Sequence, residues 1–254
     1  MKGQQLFDHQ KININLARLK THGTNFELVV DPDMAISFKE GKEVDIVDIL
    51  KAQEIFSDAN KGLLSSEDEV EKVFGTKNVL EVAKKILNDG DIQLTADHRE
   101  KVRNKKKKRI INIIHINAIE PKTGMPHPIQ RIEAAMNEVN VHIDEFKRAE
   151  DQISDIVKKL IVVLPIRFAK KEIQVSIPAE YAQKTYGKIQ KFGIIKKEEW
   201  LNDGSWLAVI EIPAGLQNEF FDELNKETHG NVDTKIVNER WNLEWENFYY
   251  KIKM

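Results

Sequence analysis

The densest group of chemically capable side chains is cationic: seven of the nine residues at positions 101–109 are basic, namely Lys101, Arg103, Lys105, Lys106, Lys107, Lys108 and Arg109. On a helix the last five of these wrap more than a full turn, so they cannot all share one solvated face of a helix packed along its length. Like charges one turn apart repel. The stretch therefore either projects from its surroundings or meets a polyanion, RNA above all. Contact with about six phosphates would lower affinity roughly a thousandfold between 50 and 200 mM salt.

Catalytic chemistry is poorly represented. Gly41-Lys42 lacks the preceding Gly and following hydroxyl of a phosphate-binding loop, and no nucleophile elbow, dinucleotide fingerprint or zinc-protease helix occurs. The seven His, at 9, 22, 98, 115, 127, 142 and 229, show no metal-ligand spacing, and there is no Cys to serve as nucleophile or thiolate ligand. His115, in an Ile-rich stretch, is expected to be packed. No enzyme activity, cofactor or metal is expected. His127 lies between Pro126 and Pro128, after Gly124, in a stiff loop. That loop either caps a helix entry or displays His127 and Lys122, with Arg131 just beyond, for recognition.

Three kinds of element must position these residues. Alternation at Ile12-Asn13-Ile14-Asn15-Leu16 and at Phe26-Glu27-Leu28, around a turn at His22-Gly23, predicts strands. Ser65-Ser66 before three acids starts one helix, and Asn78 starts a second that stops at Gly90. From Asp97 onward three amphipathic helices follow, the last closed by Pro165. The final part repeats a strand, Pro-Ala, helix unit, at Gln174-Val175-Ser176-Ile177-Pro178-Ala179 and at Val209-Ile210-Glu211-Ile212-Pro213-Ala214. With strands near 191–196 and 233–237 it gives the βαββαβ order of a ferredoxin-like domain. The chain thus reads as α+β, with an α/β N-terminal domain (1–96), a three-helix middle domain (97–169), a ferredoxin-like domain (170–239) and an aromatic extension (240–254). In that extension Trp241, Trp245, Phe248 and Tyr249 recur at helical spacing.

Charge follows these divisions. The whole chain carries -2, but residues 1–96 hold 12 basic and 17 acidic side chains, residues 97–169 hold 15 and 10, and residues 170–254 hold 12 and 14. A near-neutral total conceals a basic middle domain. The polar first ten residues lack the apolar core of a signal peptide, and no apolar run of membrane-spanning length occurs, so a cytoplasmic protein that meets no membrane is expected.

The run Ala118-Ile119-Glu120-Pro121-Lys122-Thr123-Gly124-Met125-Pro126-His127-Pro128, followed by Arg131-Ile132-Glu133 and Ala135-Met136, resembles the Shwachman-Bodian-Diamond syndrome protein (SBDS) family in its archaeal form. Further blocks agree in order: Phe26-Glu27-Leu28, Lys61-Gly62, Phe74-Gly75-Thr76, Ile86-Leu87 with Gly90 and Ile92-Gln93, and Glu223-Leu224 with Lys226-Glu227-Thr228 and Gly230. The resemblance implies a noncatalytic, monomeric ribosome maturation factor that binds large-subunit rRNA and ribosomal proteins. It also implies an elongation-factor-two-like GTPase partner and release of an anti-association initiation factor. The alternative is an RNA-binding accessory of an RNA-processing, exosome-like assembly. Where the family usually has a basic turn, Lys-Arg-x-Gly-Lys-Arg-Phe-Glu, this chain reads Lys20-Thr21-His22-Gly23-Thr24-Asn25-Phe26-Glu27. Lys20 remains, with Arg18 nearby and Lys61 as a further RNA-binding candidate.

Overall fold

A computed structural model describes residues 14–242, which form two compact units: residues up to 105 together with 144–148, and residues 106–143 together with those from 149 onward. The first unit opens with a hairpin of β1 (Leu16–Thr21) and β2 (Thr24–Val29), turned through His22 and Gly23, both at positive φ. Then come α1 (Pro32–Lys39), α2 (Ile46–Ile49), β3 (Phe56–Asp58), β4 (Leu63–Leu64), α3 (Glu67–Phe74), α4 (Val79–Asp89) and β5 (Asp91–Gln93). The strands form one antiparallel sheet in the order β4-β3-β2-β1-β5. Its inward residues Ala17, Phe26 and Leu28 meet Val82, Ala83, Ile86 and Leu87 of α4, and the Phe26 and Phe74 rings pack edge to face at 4.9 Å.

Local signals account for these elements. The Ser66 hydroxyl accepts the Glu69 N–H, and the Asn78 side chain accepts those of Leu80 and Glu81. Gly90 ends α4 as expected, yet its backbone is extended; the need for Gly is steric, because a Cβ there would lie 2.5 Å from the carbonyl oxygens of Arg18 and Ile86. One expected strand is displaced. Residues 12 and 13 lie outside the described part, Ile14 and Asn15 are not in the ladder, and β1 begins at Leu16. Asn15 instead uses its side-chain oxygen to accept the Thr95 N–H.

A 22-residue helix, α5 (Ala96–Asn117), follows; its start belongs to the first unit and its remainder, from Lys106, to the second. The second unit continues with β6 (Ala118–Ile119), α6 (Ile129–Glu138), α7 (Ala149–Leu160), β7 (Arg167–Ile177), α8 (Ala179–Ile189), β8 (Ile194–Trp200), β9 (Trp206–Pro213), α9 (Gln217–Thr228) and β10 (Asp233–Asn242). The sheet order β10-β7-β9-β8 is that of a ferredoxin-like βαββαβ fold. Three differences from expectation stand out. α7 stops at Leu160, and Ile161 to Leu164 form turns before Pro165. The two-residue β6 pairs with Phe168 and Arg167 at the start of β7, so the chain after α5 joins the C-terminal sheet. And β10 runs on through Arg240, Trp241 and Asn242, which pair with Lys170, Ala169 and Phe168, so these three are strand rather than helix. The long β7 offers them backbone partners, whereas Trp245, Phe248 and Tyr249 lie outside the described residues.

Gly215 sits where the α5 terminus meets the turn before α9. A Cβ at this position would fall 1.9 Å from the His115 carbonyl oxygen and 2.4 Å from that of Ile116, and backbone cannot yield. Gly187, inside α8, has nothing within 4 Å of its would-be Cβ. Gly215→Ala should therefore cost about 2–3 kcal/mol and lower the melting temperature by about 5–10 °C. Gly187→Ala should raise stability by about 0.5–1 kcal/mol. Thermal and denaturant melts of both variants check the contrast.

Candidate nucleic-acid interface

The helix that carries the basic run is started by Thr95, whose hydroxyl accepts the His98 N–H and whose carbonyl accepts that of Arg99. Along it the cations are sorted by face. Arg99 and Arg103, one turn apart, both pair with the buried Glu145 carboxylate: Arg103 donates to it from Nε at 2.9 Å, and Arg99 Nε lies 3.1 Å from it as an ion pair, while Val102 and Phe146 pack on the core of the first unit. Lys106 is buried. In the second unit Lys107 donates to Asn137 at 2.7 Å and lies 4.0 Å from Glu133, and Arg109 reaches Glu150 at 2.6 Å.

Lys101, Lys105 and Lys108 remain. All three are exposed, and among the described residues none has an ion-pair partner. Their spacing of four and then three residues places them within an arc of about 60° and along about 10 Å of the helix. The chemistry of such a row is that of three point charges fit for successive phosphates of one strand; it offers no fork for base recognition.

The other cations expected to bind RNA are differently placed. Arg18 donates from Nε to Glu27 at 2.6 Å, and the buried Glu27 also accepts the Ala59 N–H, so Arg18 neutralises a carboxylate inside the sheet. Lys61 pairs with Asp58 at 2.8 Å; that contact pushes Lys61 up and holds the Asp58 carboxyl below its usual range. Lys20 is exposed beside the His22-Gly23 turn, opposite Asn25. Lys122 is exposed in its loop, and Arg131 lies 3.4 Å from Glu120.

The expected display of His127 does not occur. The imidazole is 1% exposed; its Nε2 donates to the Pro165 carbonyl at 2.9 Å, and its own carbonyl accepts from His115 Nδ1 at 2.7 Å. The two prolines stiffen the loop, but they turn the ring inward, where it holds α5, the loop and the segment after α7 together. Direct contact between His127 and a nucleic acid is thereby excluded in this conformation. Two residues of consequence had no strong sequence signal: Glu145, which is 42 positions from Arg103, and Arg99, whose only mark is its spacing of four from Arg103. Among the described residues no cluster of His, Asp or Glu could hold a metal, and no helix is long and apolar enough to cross a membrane.

Comparison with known proteins agrees with this architecture. Models of the SBDS N-terminal domain, SBDS domain II and the SBDS C-terminal domain match residues 13–100, 108–169 and 171–239. The ribosome maturation protein SDO1 homolog of Methanothermobacter thermautotrophicus is 47% identical over 223 residues, covering 87% of this chain and 96% of that protein. The chain belongs to the SBDS family. Within that family the SDO1 homolog of Aeropyrum pernix is 39% identical, covering 87% of this chain and 95% of its own length. The ribosome maturation protein SBDS of Caenorhabditis elegans is 28% identical, covering 90% and 91%. The resemblance read from the loop at 118–128 is confirmed across all three SBDS domains.

Burial holds the His127 imidazole below its ordinary range, opposed in part by the Pro165 carbonyl. An unfolded chain takes up this proton near pH 6.5, the folded chain only at lower pH, so the folded state binds fewer protons in that window and loses stability as pH falls below about 6.5. Denaturant midpoints between about pH 7.5 and 5.5 should fall for the wild type and fall less for His127→Asn. Equal slopes in the two proteins would refute the assignment.

Proposed function

We propose that this chain is a noncatalytic ribosome maturation factor that lays the Lys101, Lys105 and Lys108 face of α5 along the phosphate backbone of large-subunit rRNA. The names of its relatives supply the ribosome, and the three unpaired lysines on one face supply the contact. Repulsion along that row is relieved when phosphates replace its counterions. Lys20 and Lys122 are accessory contacts, while Arg18 and Lys61 act chiefly within the protein. In this reading the bound factor works in the cytoplasm and makes the subunit competent for translation. There it assists a translational GTPase of the elongation-factor-two type in releasing an anti-association factor.

With three phosphates rather than six, affinity for large subunits should fall about 20- to 40-fold between 50 and 200 mM salt. Co-sedimentation with purified large subunits measures this. Lys105→Glu with Lys108→Glu should weaken binding at least tenfold and flatten the salt slope by about two contacts, whereas Arg109→Ala, which removes a side chain already held by Glu150, should change it far less. Binding of the double variant that equals wild type at every salt concentration would rule out this face. Co-purification with a nuclease assembly in place of ribosomal particles would support an RNA-processing role instead.

A further inference from the structure

β10 runs antiparallel to β7, and its last pairs set Trp241 opposite Ala169 and Asn242 opposite Phe168. The chain therefore leaves the sheet heading toward the residues that precede β7. Phe168 also pairs with Ala118, which takes the other edge of β7, so β6 does not stand in that path. Just before β7 come the turns that follow α7, and they carry the most exposed large apolar side chain among the described residues: Val162 is 85% exposed, and its neighbour Ile161 is 46% exposed. A single exposed valine is ordinary. Two adjacent β-branched residues turned to water are less so here, because Ile153, Ile156 and Val157 on the helix that leads to them are all buried.

We propose that the apolar turn at Ile161 and Val162 is the docking surface for the chain's own residues 243–254, which cover it within the same molecule. That segment lies outside the described residues and beyond residue 239, where the match to the SBDS C-terminal domain ends. Seven of its twelve residues are apolar or aromatic, Trp245, Phe248, Tyr249 and Tyr250 among them. Such rings bring large apolar area to a contact and have a strong tendency to leave water.

Reach and charge select this occupant. Asn242 stands opposite Phe168, six residues after Val162, and six extended residues span about 20 Å. Residues 161–164 turn instead of extending, so the gap is shorter than that, whereas twelve extended residues reach about 40 Å. The first charges of the segment are Glu244 and Glu246. Beside the apolar turn, the last turn of α7 holds Lys158 and Lys159, both exposed. Lys158 lies 3.6 Å from Asp155, and Lys159 has no ion-pair partner among the described residues. The acids of the segment thus have the sign that these lysines take, at the point where the chain arrives.

The chain has no cysteine, so Val162→Cys supplies a single thiol at the centre of the surface. Its reaction with a small maleimide should be at least about fivefold slower in the full chain than in the same variant ended at Asn242, and the two rates should converge in denaturant. Trp245→Ser with Phe248→Ser, placed in the full-length Val162→Cys protein, should raise the rate by about threefold or more without shortening the chain. Val47→Cys, at a 43% exposed position on α2 of the first unit, should react equally with and without residues 243–254. Equal labelling of Val162→Cys in the long and short chains overturns the proposal. So does a Val47→Cys rate that rises as much on shortening, since the protection then reports general packing. Protection that grows with protein concentration between about 2 and 200 µM also overturns it, because the covering segment then belongs to a second copy.

Discussion

Repulsion among cations on one helix is the constraint that orders the rest of the structure. α5 brings together more positive charge than a helix can hold unaided, and the remedy comes from distant chain: Glu145 serves Arg99 and Arg103, while Glu150 serves Arg109. Each acid belongs to the same compact unit as the cation it serves. The lysines left over are those on the outward face. The exposed lysine row is thus what incomplete neutralisation leaves on α5, and its position follows from which turns of the helix are provided with acids.

A second set of polar groups is buried to join elements within each unit. Glu27 would be costly inside its sheet without Arg18 and the Ala59 N–H, and removing either partner would strand a carboxylate. Lys171, almost fully buried on β7, donates to the Gly124 carbonyl and to Gln217, tying the loop after β6 to the start of α9. His127 does similar work through the Pro165 carbonyl. Such groups contribute geometry more than net stability, since each bond mainly offsets the desolvation of its own partners.

Elements fixed by local chemistry were legible in the sequence: the His22-Gly23 hairpin, the capped starts of α3 and α4, and the repeated strand, Pro-Ala, helix unit of the C-terminal sheet. What was hidden depends on distant chain. β6 is two residues long and exists because β7 offers a free backbone edge at Arg167 and Phe168. β10 outruns its apolar pattern for the same reason. His127 stands in a loop whose rigidity was evident, but its direction is decided by the Pro165 carbonyl 38 positions away. The basic run was plain; which of its cations are held within the protein was not, because Glu145, Glu150 and Asn137 carry no mark of their destination.

The first unit is not a continuous stretch of sequence. Residues 144–148 return to it after the intervening chain has entered the second unit, bringing Phe146 to its core and Glu145 to Arg99 and Arg103. During synthesis this part of the protein therefore emerges incomplete. It waits for about 40 further residues, roughly 2–9 s at ordinary elongation rates, with two guanidinium groups lacking their carboxylate. An N-terminal fragment cut just after residue 105 would keep both Arg99 and Arg103 and stay in that state permanently, and its properties would be those of a nascent chain rather than of the finished unit.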